Sequence, residues 1–175
     1  VPRRVVDAIS DYLSRTNANH GGLFLTSRES DAMLDGARAA VADLLHSPES
    51  SLVCFGANMT TLTFAVSRAL AKTWKPGDEV LVTRTDHDAN VTPWVLAARD
   101  AGAVVKHVDF NPEDGTLDLA DFNAKLSTKT RLVAIGAASN ATGTIHPIRE
   151  LTRRAHAVGA TVFVDAVHFA PHGLI

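Results

Sequence analysis

A single cysteine, Cys54, is the only thiol in the chain, which excludes an intrachain disulfide framework and fits a reducing, cytoplasmic setting. Charge of one sign is scarce too: 17 Lys and Arg stand against 19 Asp and Glu, for a net −2. No surplus therefore points to nucleic acid or a membrane surface as partner. Long apolar runs are missing, the longest being strand-sized and short of the roughly 20 residues of a membrane span. The opening VPRRVVDAISDYL puts Asp7 and Asp11 where a secretory leader is apolar, so a leader is not expected. Repeats, low-complexity tracts and linkers are also lacking. What remains is ordinary globular composition, 46% hydrophobic and 21% charged over 175 residues, enough for one domain with a core. The chain starts at Val1 and stops at Ile175 in mid-pattern, so it is expected to be the interior portion of a longer protein.

Two hydrophobic periods alternate along it. Val5, Val6, Ile9 and Leu13 fall on one helical face, which predicts an amphipathic helix over 2–15. A Gly- and Asn-rich loop, 16–27, follows. Thr26 and Glu29 have capping-box spacing ahead of a helix striped by Met33, Ala37, Val41 and Leu44. SLVCF (51–55) reads as a short buried strand with Cys54 as a small buried hydrophobe. From there strands are expected at 79–83, 103–110, 131–136 and 160–166. Helices are expected at 59–72, over TPWVLAARDA with Gly102 as its stop, near 118–126, and after Pro147. Strands alternating with helices of 10–15 residues imply βαβ units: an α/β fold of three αβα layers, its mostly parallel sheet covered on both faces.

In open sheets of this kind a ligand lies outside the carboxyl ends of the strands. That rule selects the loops at 56–59, 84–92, 137–144 and 165–172. GANM (56–59) joins a strand to a helix start, where orphan N–H groups favour an anion, although a plain tight turn reads the same way. DHDAN (86–90) fits either a fragment of a metal site or a solvated polar loop. SNATG (139–143) offers Asn140, both donor and acceptor, in what is otherwise turn chemistry. VFVDAVH (162–168) ends an apolar strand on Asp165, a carboxylate that needs a partner if buried, with His168 and His172 beyond it.

These four features, in this order, resemble the class V aminotransferase family and, within it, the cysteine desulfurase-like branch. Family members read GTTE or GATE, EHHAN, SN-x-x-G and VDGAQ at the corresponding places. The resemblance runs from the NANHGG loop to His172. It implies a fold-type I enzyme dependent on pyridoxal 5′-phosphate (PLP). Residues 1–50 would form N-terminal helices and a loop at the substrate mouth, and 51–175 an incomplete PLP-binding large domain. Ala57, Asn58 and Met59 would hold the phosphate, His87 would stack on the ring, and Asp165 would pair with its nitrogen. Asn140 and His168 would reach the phenolic oxygen, while Asn19 or His20 would touch substrate. The implied reaction takes L-cysteine to L-alanine and a persulfide, in a homodimer that can pass sulfur to an acceptor protein.

Departures from the family pattern bear on the reaction more than on the cofactor. GANM lacks the hydroxyl of GTTE, and His168 stands where Gln is usual. The lysine that anchors the cofactor belongs downstream of VDGAQ, and Lys72, Lys75, Lys106, Lys125 and Lys129 all precede Asp165. Both that lysine and the desulfurase cysteine are therefore expected beyond residue 175. Transamination, epimerisation and lyase chemistry stay open as other PLP reactions. Outside that class stand a metal-dependent hydrolase using Asp86, His87, Asp165 and His168, a Rossmann-like binding domain, and a non-catalytic relative.

Overall fold

The computed structural model describes residues 1–173, which divide into two compact units, Val1–Phe55 and the residues from Gly56 onward. In the first, the apolar spacing folds as α1 (Arg3–Asp11), which continues into a π-helical turn, Tyr12–Thr16. The next helix, α2 (Leu25–Leu44), starts without the expected capping box: Phe24 is the N-cap residue and makes no side-chain cap bond. Buried Ser27 replaces it. Its hydroxyl donates to the Asn19 carbonyl at 2.6 Å and accepts from the Gly22 N–H at 2.7 Å, tying the preceding loop onto the first turn.

The strand expected at 51–55 is not there. Ser50–Leu52 is a 3-10 turn, and residues 53–55 join no ladder. An apolar run of five is strand-sized, but a strand forms only where a neighbour takes its backbone N–H and C=O groups. Within the run only Val53 is buried, and Cys54 is exposed rather than the buried hydrophobe its neighbours implied.

The second unit follows the predicted alternation: α3 (Met59–Ala71), β1 (Glu79–Thr83), α4 (Thr92–Ala101), β2 (Val104–Val108), α5 (Leu119–Lys125), β3 (Thr130–Gly136), α6 (Ile148–Ala157) and β4 (Thr161–Asp165). Local chemistry sets the boundaries. Asn58 caps α3 by accepting the Thr61 N–H at 2.9 Å, and Asp118 caps α5 through the Ala120 and Asp121 N–H groups. Gly102 closes α4 in the left-handed conformation, φ 72°, which a β-carbon would disfavour. Pro147 stands at the N-cap of α6, one residue ahead of the first turn.

The sheet is parallel throughout, in the order β2-β1-β3-β4. Alternate residues of the central strands feed two cores. Val80, Val82, Leu132 and Ala134 pack with Trp94 and Ala98 of α4, joined by Val66 and Leu70 of α3. Leu81, Val133 and Ile135 pack on the opposite face with Phe122 of α5 and Leu151 and Ala155 of α6. Three layers result, as a parallel sheet with both faces covered requires. Polar groups at the amino edge are matched as well: Asp78 accepts the Lys75 N–H at 2.8 Å and pairs with Arg131 at 2.9 Å, and Glu79 meets Lys106 at 2.7 Å.

Phe122 is fully buried in one core, so Phe122→Ala is expected to cost about 3–5 kcal/mol, read by urea denaturation. On α6, hydrogen bonds from Arg153 and Arg154 hold the Glu150 carboxyl down from 4.5 to about 2. A depressed carboxylate contributes stability that is present above its unfolded value and lost as pH falls through the folded one. Thermal midpoints should therefore fall between pH 4.5 and about 2, and the fall should be shallower in Glu150→Gln.

Candidate functional site

Leaving β1 the chain crosses to β2 on one side, whereas β3 lies on the other side of β1. Connections to the two sides separate there and open a crevice at the carboxyl ends of β1 and β3, the place such sheets use for ligands. The loops bearing His87 and Asn140 flank this crevice.

In the loop after β1, His87 is exposed and caps a 3-10 turn, Asp88–Asn90, its Nδ1 accepting the Ala89 N–H at 3.1 Å. Asn90 is fully buried. It accepts from the Trp94 indole N–H at 3.1 Å and donates to Asp86 Oδ1 at 2.8 Å. The other Asp86 oxygen accepts from the Thr83 hydroxyl. Burial pushes the Asp86 carboxyl above its ordinary value against the pull of the Thr83 and Asn90 hydrogen bonds and of His146; nearby Asp165 adds to the rise. Gly136 is what lets this carboxylate in, since a β-carbon there would stand 2.9 Å from Asp86 Oδ1.

The loop after β3 folds back on itself, with Ala138 bridged to Ile145 and the Ser139 N–H donating to the Thr144 carbonyl at 2.9 Å. Asn140 lies exposed on this loop. It lines both a cleft of about 310 Å³ shared with Asp86 and His87 and a cavity of about 360 Å³ shared with His168 and His172. Asp165, half-buried at the end of β4, is registered opposite Gly136. One of its oxygens accepts the Val167 N–H at 2.9 Å.

At the start of α3, Ala57 and Asn58 are exposed and Met59 is half-buried. Asn58 Oδ1 is committed to Thr61, so its amide N–H₂ remains as donor. The Met59 and Thr60 N–H groups make no hydrogen bond among the described residues, as expected in a first helical turn. This helix packs against the 3-10 turn that carries His87. Asn19 and His20 belong to the first unit, where both are exposed; His20 Nδ1 lies 3.8 Å from Asp31.

The residue that sequence reasoning missed is His146. It is buried, with Nδ1 2.7 Å from the Gly136 carbonyl and Nε2 3.3 Å from the Thr85 hydroxyl. Its only signal in the sequence was a histidine before Pro147 at the end of a loop. Among the described residues no group of three or more His, Cys, Asp or Glu side chains could hold a metal ion. Asp86, His87, Asp165 and His168 thus do not form the ligand set that a metal-dependent hydrolase needs.

The chain matches the model of the family "Aminotransferase class-V" over residues 1–175. It is 35% identical to a probable cysteine desulfurase of Streptomyces coelicolor, over 98% of this chain and 42% of that protein. It is 33% identical to a cysteine desulfurase of Dickeya dadantii, again over 98% of this chain and 42% of that protein. Among solved structures, a cysteine desulfurase of Thermococcus onnurineus superposes with a TM-score of 0.91 at 29% identity, covering 98% of this chain and 42% of that one. One from Escherichia coli superposes with a TM-score of 0.84 at 28% identity, covering 98% and 43%. The chain thus spans less than half the length of the curated relatives it matches. By a match running from its first residue to its last, on a fold its solved neighbours share, this chain belongs to the class-V aminotransferase family.

Proposed function

We propose that the chain carries the cofactor cradle of a PLP-dependent, cysteine desulfurase-like enzyme that takes L-cysteine to L-alanine and a persulfide. The observation that carries this reading is the gathering of Asp165, Asn140, His168 and His87 around the carboxyl edge of β1, β3 and β4. The donor set suits a flat, anionic ring system. The start of α3 offers unused N–H groups, with the Asn58 amide beside them, for a phosphate. Asp165 has one oxygen engaged by Val167 and the other available to accept from a protonated ring nitrogen. Asn140 and His168 would donate to the phenolic oxygen. His87, its Nδ1 occupied by Ala89, presents an exposed ring for stacking. When bound, PLP supplies an electron sink for charge developing at the amino-acid α-carbon. Asp165 would serve that chemistry by holding a proton at the pyridine nitrogen, and Asn140 by orienting the ring through its phenolic oxygen.

Asn19 and His20, on the Gly- and Asn-rich loop, are the proposed substrate contacts. A homodimer, a sulfur-acceptor protein and a cytoplasmic setting complete the reading; the relatives named cysteine desulfurase and the lone cysteine support it. The expected domain arrangement, 1–50 and 51–175, is part of the same proposal.

In the complete protein, added PLP should produce a visible absorption band that borohydride abolishes. No band with added PLP would overturn the reading. Asp165→Ala should leave the thermal midpoint near that of the parent while lowering desulfurase turnover by on the order of 10²-fold or more, the scale of a positioned proton-holding group.

A further inference from the structure

The loops that carry His87 and Asn140 are joined beneath the surface by an unbroken row of polar side chains. Asp86 Oδ2 meets the Thr83 hydroxyl, which lies 3.0 Å from the Thr85 hydroxyl, which in turn lies 3.3 Å from His146 Nε2. Thr83, Thr85 and His146 are buried, so solvent does not supply substitutes for missing hydrogen bonds. At the far end, His146 Nδ1 faces the Gly136 carbonyl, which only accepts. Nδ1 therefore carries a hydrogen.

Each of the row's three contacts needs one hydrogen, and the two threonine hydroxyls supply one apiece. With all three contacts hydrogen-bonded, and the Thr85 N–H adding a further donor to Thr83 Oγ at 3.3 Å but none to the row itself, the third comes from an end: either Asp86 is a neutral acid or His146 Nε2 is protonated. With Asp86 ionised and His146 neutral, one buried contact is left facing two lone pairs. The charges acting on Asp86 are consistent with a held proton. Asp165 approaches from the end of β4 with the same sign, and His146 acts in the opposite sense. The remaining charges of the Asp86 loop are engaged elsewhere, Arg84 with Asp109 at 2.6 Å and Asp88 with the Thr92 hydroxyl at 2.7 Å.

We propose that Asp86 and His146 are a positioning pair that shares a single proton through the Thr83 and Thr85 hydroxyls, locking the loop after β1 to the base of the loop after β3. The Ser139 hydroxyl, which donates to the Thr85 carbonyl at 3.0 Å, is the second tie between the same loops. Asp86 borders the cleft of His87 and Asn140 and His146 is buried, and neither is assigned a bond to the cofactor. They act through His87, one residue from Asp86, and through Asn140, whose loop His146 closes by donating its N–H to the Ala137 carbonyl at 3.0 Å. The role in catalysis rests on the PLP reading; the shared proton does not.

The test uses the complete protein labelled with ¹⁵N in histidine and ¹³C in aspartate, with and without PLP. Signals are assigned by loss in His146→Gln and Asp86→Asn. From about pH 6 to about pH 8, the range in which histidine ordinarily titrates, the His146 ring and the Asp86 carboxyl should together hold one proton beyond Nδ1–H. An ionised Asp86 beside a singly protonated His146 ring overturns the proposal. Asp86→Asn puts a permanent N–H donor at the head of the row, so His146 should become neutral throughout, with turnover close to the parent. Asp86→Ala removes the donor and should lower kcat about 10²-fold with KM little changed, the scale of a small misplacement of positioned groups. Equal losses in the Asn and Ala variants, or none in Ala, would also refute it. If the Ala variant does not fold, the spectra and Asp86→Asn still decide. Absence of a PLP band in the parent, with the proton count intact, strikes only the cofactor reading.

Discussion

β1 is hydrogen-bonded along both edges, to β2 and to β3, and covered on both faces, so the strand has no free side. A strand enclosed in this way can meet a ligand only at its ends. At the carboxyl ends the connection leaving β1 runs to β2 on one side and that leaving β3 runs to β4 on the other, which keeps the space above β1 and β3 clear of crossing chain. The rest of the site follows from that enclosure. Polar residues forbidden along the strand collect at Thr83 and beyond, and they satisfy each other there: Thr83 with Asp86, Asp86 with Asn90, Asn90 with Trp94.

Glycine completes the arrangement at one position. Gly136 stands at the end of β3, registered with Asp165 and carrying the carbonyl that His146 contacts. Its missing β-carbon makes room for Asp86 Oδ1. A loop from one strand thereby rests on the end of the next without a gap or a clash. The positions of His87 and Asn140 are consequences of backbone packing as much as of their own contacts.

Much of this was legible in the sequence because it rests on local signals. Alternating periods gave the strands of the second unit, Gly102 marked a helix end, and the strand-end rule selected the loops that flank the crevice. What was not legible depends on neighbours distant in the chain. SLVCF has strand composition but no ladder partner. Thr26 and Glu29 have capping spacing, yet Ser27 is better placed because Asn19 and Gly22 fold back to it. Cys54 lies between Val53 and Phe55 and is nonetheless exposed. His146 belongs to the same class, because its partners Thr85 and Gly136 are supplied by two different strands. Attention to Asp165 as the buried carboxylate was half right: it ends its strand as expected, but burial acts most on Asp86.

That difference between the two carboxylates has a physical consequence for the crevice. Two free negative charges side by side in a half-buried setting oppose each other, and each would favour protonation of its neighbour. Here the hydrogen bonds are unevenly distributed. Asp86 is contacted by Thr83 and Asn90 directly and by His146 through the threonines, whereas Asp165 has the Val167 N–H as its one partner among the described residues. A proton held between Asp86 and His146 keeps that pair at zero net charge whichever end carries it. Enclosure of β1 thus selects where Asp86 can stand, and the buried threonine row ties it down, whereas Asp165 at the end of β4 has one oxygen without a hydrogen bond among the described residues.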